Sequence, residues 1–354
     1  MVSKKIVCPS CKNQVIIHGK PGEKVNVSCP KCNKEGTFYF SEEKKDVKAV
    51  KQPNVIEVDN LSKFYNGFKA VDNLSLRVKK GEIFGFLGPN GAGKTTTIKA
   101  MLGLIFSKHG NVNINGKDIY RYGKQIKKYV GYMPERVAFY DNLTALQNLN
   151  FYAELKNAPR EECIRLINEF GLKDHTHKKV GKYSKGMIQR LGMARAILGK
   201  PPILILDEPS HGLDPRGVKL IREKIKELNQ NGVTIFISSH ILSEIQAVCT
   251  QVGIINKGVL VAQDTVNALT KNLQIKPKIT LEITNITEKI KQIVHKIEGV
   301  DKTEVINKKL EVFCLPESRA RVIFEVYKAG GKIINVQTEE ASLEDVFMRL
   351  TEGS

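Results

Sequence analysis

Ile83-Phe-Gly-Phe-Leu87, Gly88-Pro-Asn-Gly-Ala-Gly93-Lys94-Thr95-Thr96 and an apolar helical run from Ile98 to Ile105 follow one another almost without a break. A strand-like run, a glycine-rich loop ending in Lys-Thr and a helix are the parts of a GxxxxGK[ST] phosphate loop in its required setting. The physics is local. Gly88, Gly91 and Gly93, with Pro89, Asn90 and Ala92 between them, let the backbone turn so that its N–H groups face phosphate oxygens. The dipole of the following helix adds to that field. Lys94 is placed to reach the β- and γ-phosphates and the Thr95 hydroxyl to ligate Mg²⁺, with Thr96 beside it. A glycine-rich turn with a stray lysine would not come with both the strand and the helix. The stretch reads as a nucleotide site.

A second acidic element stands downstream, where Pro202-Ile-Leu-Ile-Leu runs into Asp207 and Glu208. A continuously apolar strand is expected where helices cover both faces of a sheet. Asp207 at its end would complete the Mg²⁺ shell, and Glu208, one residue further, would polarise a water for attack on the γ-phosphate. From about Val55 to Thr270, strand-like runs alternate with amphipathic helical patterns, which predicts an α/β domain on a largely parallel sheet. Its bounds are set at 54–270, with a helical insert at about 136–200 that opens on Thr144-Ala-Leu-Gln147, a capping box.

Composition frames the rest. The 354 residues are 41% apolar and 26% charged, which is ordinary for a globular chain, and 56 basic against 37 acidic residues leave +19. That charge favours polyanions, whether nucleotides, nucleic acid or an anionic membrane face, without choosing among them. A Lys-rich solvated surface explains it equally well. No apolar run approaches the ~20 residues needed to span a bilayer. The first residues pass from Lys4 and Lys5 directly into a cysteine pair rather than an apolar leader. The expectation is a cytoplasmic protein whose membrane role, peripheral on the inner face, comes through a partner.

Tyr183-Ser-Lys-Gly-Met-Ile-Gln-Arg-Leu191 opens an amphipathic helix about twenty residues before Asp207. It resembles the signature sequence of ATP-binding cassette (ABC) proteins. Ser184 and Gly186 match the Ser and second Gly of the LSGGQ form, and Gln189 and Arg190 match the residues after it. Lys185 and Met187 depart from that form towards a YSKGM variant of exporters whose ATPase is a separate polypeptide. The resemblance implies that Ser184 and Gly186 serve the ATP of a second subunit. It also implies that Tyr65 stacks on adenine and that Ser210-His-Gly-Leu-Asp214 is the loop through which two subunits sense each other. His240, after strand Val233–Ser238, corresponds to the switch histidine at the γ-phosphate. Glu135, in Val130-Gly-Tyr-Met-Pro-Glu135, stands where the family places a lid glutamine, as the same branch often does. A homodimer docked through its helical insert on a membrane-spanning permease is the assembly this implies.

Two further segments flank the cassette. Cys8-Pro-Ser-Cys11 and Cys29-Pro-Lys-Cys32 are CxxC pairs with 17 residues between them. This fits a four-cysteine Zn²⁺ pattern, with redox pairs or an iron site as alternatives. A ~40-residue segment has too little core to fold unaided, so a structural metal would supply most of its stability. Residues 1–40 are read as a zinc ribbon and 41–53, SEEKKDVKAVKQP, as a linker. Eleven Lys against five acidic residues in 1–52 permit nucleic-acid contact, but aromatic residues are few, and a protein–protein or regulatory role is favoured. After the polar break 271–278, the segment 279–354 reads βαββαβ plus a last helix, Ser342–Leu350, a ferredoxin-like α+β unit that resembles a C-terminal domain of the same exporter branch.

The leading reading is therefore the ATP-hydrolysing subunit of an exporter, dimeric, with two composite sites. A soluble cassette ATPase acting on nucleic acid or the ribosome is the alternative. It is disfavoured because the cassette is single and uninterrupted by a long coiled coil. A regulator that binds ATP without hydrolysing it is disfavoured by the presence of both Asp207 and Glu208.

Overall fold

The computed structural model describes residues 2–20, 22–39, 53–273, 277–339 and 343–351. The linker predicted at 41–53 thus falls, except for Pro53, outside the described residues, as does the middle of the polar break, 274–276. The chain divides between Gln52 and Pro53 into two compact units.

The first unit is a pair of antiparallel hairpins, β1 (Val2–Val7) with β2 (Gln14–Gly19) and β3 (Lys24–Ser28) with β4 (Glu35–Tyr39). Its buried apolar side chains among the described residues are Cys8, Ile17 and Cys29, which is a very small core.

The second unit begins with two long strands, β5 (Asn54–Tyr65) and β6 (Phe68–Lys79), then β7 (Ile83–Leu87) and α1 (Lys94–Met101). Next come β8 (His109–Ile114), β9 (Lys117–Asp118), α2 (Ile119–Ile126) and β10 (Val130–Met133). The helical insert comprises α3 (Ala145–Lys156), α4 (Arg160–Glu169) and α5 (Lys185–Ile197). The chain returns through β11 (Ile203–Asp207), α6 (Pro215–Gln230), β12 (Thr234–Ser239), α7 (Leu242–Val248), β13 (Gln251–Asn256), β14 (Val259–Asp264) and α8 (Val266–Asn272).

The central sheet has the order β10-β11-β12-β7-β13-β14, parallel except for the β14 edge. Alternation along its strands explains why they are apolar throughout. Phe84, Phe86, Ile203 and Ile205 pack with α1 and the antiparallel sheet β6-β5-β8-β9 on one side. Ile83, Leu87, Leu204 and Leu206 pack on the other side with the helical insert, α6 and α7. Gly85 sits where α7 comes closest: a Cβ there would lie 2.5 Å from Ile245 Cγ2.

Two sequence expectations need correction. The helix after the phosphate loop ends at Met101 rather than running on to Ile105. Gly103 adopts φ +61°, and the Leu104 N–H donates to the Lys99 carbonyl while the Gly103 N–H donates to that of Ala100. This is the turn that closes a helix. The insert, in contrast, opens as expected: the Thr144 hydroxyl accepts from the Gln147 N–H and the Gln147 side chain accepts from the Thr144 N–H.

The second correction concerns the end of the chain. β15 (Lys278–Ile283), α9 (Glu288–His295), β16 (Val300–Ile306), β17 (Lys309–Cys314), α10 (Arg319–Lys328) and β18 (Ile333–Glu339) form an antiparallel sheet of order β16-β17-β15-β18. Both helices contribute to the core on one of its faces. The last helix, α11 (Leu343–Thr351), does not join them. Its buried Leu343 and Val346 belong to the cassette core beside Ile245 and Leu269. Ser342, where that helix was expected to start, lies outside the described residues.

Candidate functional site

The phosphate loop runs from Gly88 to Gly93 between β7 and α1, and Lys94, Thr95 and Thr96 open the helix. Ala92 turns its methyl into the core, and its carbonyl accepts from the Gly258 N–H at 3.0 Å. The loop is therefore anchored from below, with Gly91 left on the open side. Gly93 has φ +107°, and a Cβ there would meet the Ala70 carbonyl at 2.6 Å, so no other residue fits. The pocket over the loop is lined by Tyr65, Phe68, Gly91, Gly93, Lys94, Thr95, Thr96, Glu135 and Glu208.

The two adjacent carboxylates face different partners. Asp207 is fully buried; it accepts hydrogen bonds from the Thr95 hydroxyl at 3.0 Å and from the Ser238 hydroxyl. Burial raises its carboxyl above the ordinary range, against the pull of those two donors. A divalent cation would reverse that preference, since it favours the carboxylate. Glu208 turns to the other side. One oxygen lies 3.4 Å from Lys94 Nζ and the other 2.9 Å from His240 Nδ1. Lys94 is itself held by the carbonyls of Gly88 and Pro89 at 2.7 and 3.3 Å.

Glu208 has φ +50°, a left-handed backbone costing about 1–3 kcal/mol for such a residue. Its surroundings fix it there. The Glu208 N–H donates to the carbonyl and hydroxyl of Ser238, and Gln189 Nε2 donates to the carbonyls of Glu208 and Pro209, both at 3.1 Å.

The remaining sequence candidates lie elsewhere. Ser184 is the N-cap of α5, accepting from the Met187 N–H at 3.3 Å, and is exposed. Gly186 faces the loop before α6: a Cβ on it would stand 3.6 Å from Leu213 Cδ2. Asp214 caps α6 through the Gly217 N–H at 2.8 Å. Pro89 and Asn90 stay with the loop, both exposed, and Pro89 lines the pocket over it. Within one chain, then, Tyr65, Glu135 and Glu208 meet the phosphate loop, with Asp207 and His240 attached through Thr95 and Glu208. Ser184, Gly186 and Asp214 do not.

The family model for ABC transporters matches residues 71–211, which include the phosphate loop, Ser184, Gly186, Asp207 and Glu208. The chain is 37% identical over 301 residues to the bacitracin transport ATP-binding protein BcrA of Bacillus licheniformis, covering 84% of this chain and 98% of that one. This chain belongs to the ATP-binding subunits of ABC transporters. It is thus an ATPase, and it powers a transporter. A solved ATP-binding subunit of an ABC transporter superposes with a TM-score of 0.59 at 30% identity, covering 62% of this chain and 93% of that one. An ATP-binding cassette solved as a dimer in a post-hydrolysis state with ADP and Pi shares the fold, with a TM-score of 0.56 at 23% identity, covering 59% of this chain and 98% of that one. No described helix of this ABC subunit is long and apolar enough to cross a membrane.

In the first unit, Cys8, Cys11, Cys29 and Cys32 bring their sulfurs within 4.8 Å of one another. The Cys8–Cys32 and Cys11–Cys29 separations are 3.6 and 3.5 Å. Four sulfurs at about 2.3 Å from a tetrahedral Zn²⁺ stand about 3.8 Å apart, so the donor set fits that ion. The two knuckles share one geometry. The carbonyl of Cys8 accepts from the Lys12 N–H and that of Cys29 from the Asn33 N–H, and Lys12 and Asn33 both have positive φ, 60° and 51°. Backbone N–H groups of Lys31 and Cys32 pull the Cys29 thiol down to about 6 against its burial, while that of Cys32, against a backbone bond from Lys34, is pushed up by the neighbouring thiols.

Two contributors escaped the sequence reading. Phe68 pairs with Tyr65 across the hairpin and lines the same pocket. The signal was available: Asn66-Gly67, with φ +49° and +83°, is a two-residue hairpin turn that puts the flanking aromatics side by side. Ser238, which holds both Asp207 and Glu208, has no local mark. It is found only through the parallel register Asp207↔Ser238.

Proposed function

We propose that this ABC subunit drives an exporter, binding ATP over the loop 88–96 and hydrolysing it with Glu208 as general base. Tyr65 and Phe68 offer ring faces to the adenine. The loop amides and Lys94 take the phosphates. Thr95 and Asp207 are the residues that would hold Mg²⁺, which when bound neutralises phosphate charge. Glu208 accepts the proton of the attacking water, and His240 holds that carboxylate and reaches towards the terminal phosphate. The observation that carries this reading is the division of labour at one strand end. Asp207 faces Thr95 and Ser238, while Glu208 faces Lys94 and His240.

Ser184 and Gly186 lie off this pocket, which supports a composite site: a second copy of the chain would bring them to the nucleotide. Similarity to a bacitracin transport subunit, together with the YSKGM segment and Glu135, supports export through a separate permease, with the ATPase peripheral on the inner membrane face. In the first unit the four cysteines would hold one structural Zn²⁺; four sulfur ligands leave no open position for chemistry. Nucleic acid is not favoured as a partner.

The test is Glu208→Gln, which keeps the shape and removes the base. Hydrolysis should slow by a factor on the order of 10²–10⁴. ATP binding should persist, and ATP should now convert the protein to a lasting dimer in size-exclusion chromatography with light scattering. Turnover at the wild-type rate would remove Glu208 from the role. A dead enzyme that stays monomeric with Mg-ATP would count against the composite site.

A further inference from the structure

Gln189 lies on α5, five residues past the N-cap Ser184. Met187, Leu191, Met193 and Ala194 around it are buried apolar side chains, and Gln189 is buried with them. A polar amide in such a place costs free energy unless its N–H groups find acceptors. They do: Nε2 donates to the carbonyl of Glu208 and to that of Pro209, each at 3.1 Å. The orientation of the amide follows, since only its nitrogen can meet two carbonyls.

The two carbonyls belong to the point where the chain leaves β11 in an unfavourable conformation. Glu208 has φ +50°, and it precedes Pro209, whose ring drives the residue before it towards extended backbone. Pro209 has no N–H of its own to tie the turn down. The Glu208 N–H donates to Ser238, and the Glu208 carbonyl also accepts from the His211 N–H at 3.1 Å. For the Pro209 carbonyl, Gln189 is the partner among the described hydrogen bonds. Ser238 therefore fixes the turn from the sheet and Gln189 fixes it from the helical insert. Between them they set the direction in which the Glu208 carboxylate leaves the backbone, towards Lys94 at 3.4 Å and His240 at 2.9 Å. Gln189 does not itself line the nucleotide pocket.

We propose that Gln189 is a positioning residue for hydrolysis in its own chain: its amide holds the backbone of Glu208 and Pro209, and through it the carboxylate that takes the proton of the attacking water. One helix then serves two sites. Its N-terminus, with exposed Ser184, would meet the nucleotide of a second subunit, and its second turn steadies the base of its own. At 1.5 Å of rise per residue these two points lie about 7.5 Å apart on one rod. A displacement of Ser184 is thus passed to Glu208. The inference rests on Glu208 being the base, and it adds a residue that acts only through that base.

The test uses the full chain and Mg-ATP, with Gln189→Met, Gln189→Asn, Glu208→Gln and the double variant Gln189→Met/Glu208→Gln. Methionine keeps the length and the packing but has no donor, and asparagine keeps the amide but stops one methylene short of the carbonyls. Each should lower kcat roughly 5- to 100-fold, the effect of leaving buried carbonyls unpaired beside the base. KM for ATP should stay within about twofold, because Gln189 lies outside the nucleotide pocket. In the double variant, kcat should match that of Glu208→Gln alone within about twofold, since no base is left to position. Melting curves fix an assay temperature at which the variants are folded, and Gln189→Asn carries the same test if Gln189→Met does not fold. Wild-type kcat in a folded Gln189 variant overturns the proposal. A loss that multiplies with that of Glu208→Gln would show a merely structural role and also overturn it, as would a rise in KM as large as the fall in kcat. Glu208→Gln by itself separates the two claims. If it is dead while Gln189→Met is normal, the base stands and the positioning role fails; if it is fully active, the base itself fails.

Discussion

Leu343→Ala perturbs the place where the end of the chain returns to the cassette. Leu343 is fully buried and, with Val346, shares a core with Ile245 of α7 and Leu269 of α8. Three carbons are removed, and at about 0.8 kcal/mol per methylene the lost transfer energy is about 2.4 kcal/mol. The cavity left between three helices brings the total to about 3–4 kcal/mol. α7 begins two residues after His240, so the loss should be felt beside that residue rather than in the sheet of residues 278–339. Native-state hydrogen exchange reads this directly. If α7 and α11 open together, amides of residues 242–248 should exchange roughly 100- to 1,000-fold faster, at tenfold per 1.4 kcal/mol. Leu281→Ala is the control: Leu281 is equally buried, but in the core of the C-terminal sheet. It should speed exchange in β15 and leave α7 as in the wild type. Unchanged protection of α7 in Leu343→Ala, with weakened protection of β15 instead, would refute the assignment of α11 to the cassette.

Lys94→Ala should keep the wild-type far-ultraviolet spectrum but weaken ATP binding roughly 10- to 100-fold, by loss of charge-assisted bonds to phosphate, in a fluorescent-nucleotide titration. Metal analysis should find one Zn²⁺ per chain, and Cys29→Ser should lose it; a chain beginning at Pro53 should still hydrolyse ATP, because its core is complete without the ribbon. Stability should also depend on pH through Glu169. Burial pushes its carboxyl up, but hydrogen bonds from Lys224 at 2.8 Å and from Arg165 outweigh this and hold it below the ordinary glutamate value of 4.5. A depressed carboxyl stabilises above its unfolded value and loses that contribution as pH falls through the folded one. In urea unfolding, Lys224→Met should therefore cost about 1 kcal/mol near neutrality, and the gap to the wild type should close as pH falls below about 4.5.

The phosphate loop, the acidic strand end and the capping box were legible because each is written within about ten consecutive residues. Glycine at a position of φ +107°, a carboxylate pair closing an apolar strand, and Thr three residues before Gln all act on their own neighbours. The strand and helix order of 278–339 was legible for the same reason, since period and punctuation are local. The place of α11 was not. Its apolar stripe, with Leu343 and Val346 inward, states that it is buried but not against what. Nearness in sequence pointed to the C-terminal sheet; the exposed face of the cassette between α7 and α8 took it instead.

The hydrolytic centre shows the same boundary more sharply. Asp207-Glu208 can be read from the chain, but the geometry that makes Glu208 usable cannot. A glutamate at φ +50° is strained, and its local support is a single bond, from the His211 N–H to its carbonyl. The rest of the support comes from Ser238, thirty residues on and set opposite by sheet register; from Gln189, on the signature helix; and from His240. Each is an ordinary polar residue in its own segment and acquires a role only when three segments converge. Two of those segments, the signature helix and the exit of β12, also carry residues that look outward, Ser184 and His240. The proposed base is therefore held by the same elements that would meet the second subunit and the terminal phosphate. A change in either must pass through the backbone of Glu208, which is a physical reason for hydrolysis to wait until both are in place.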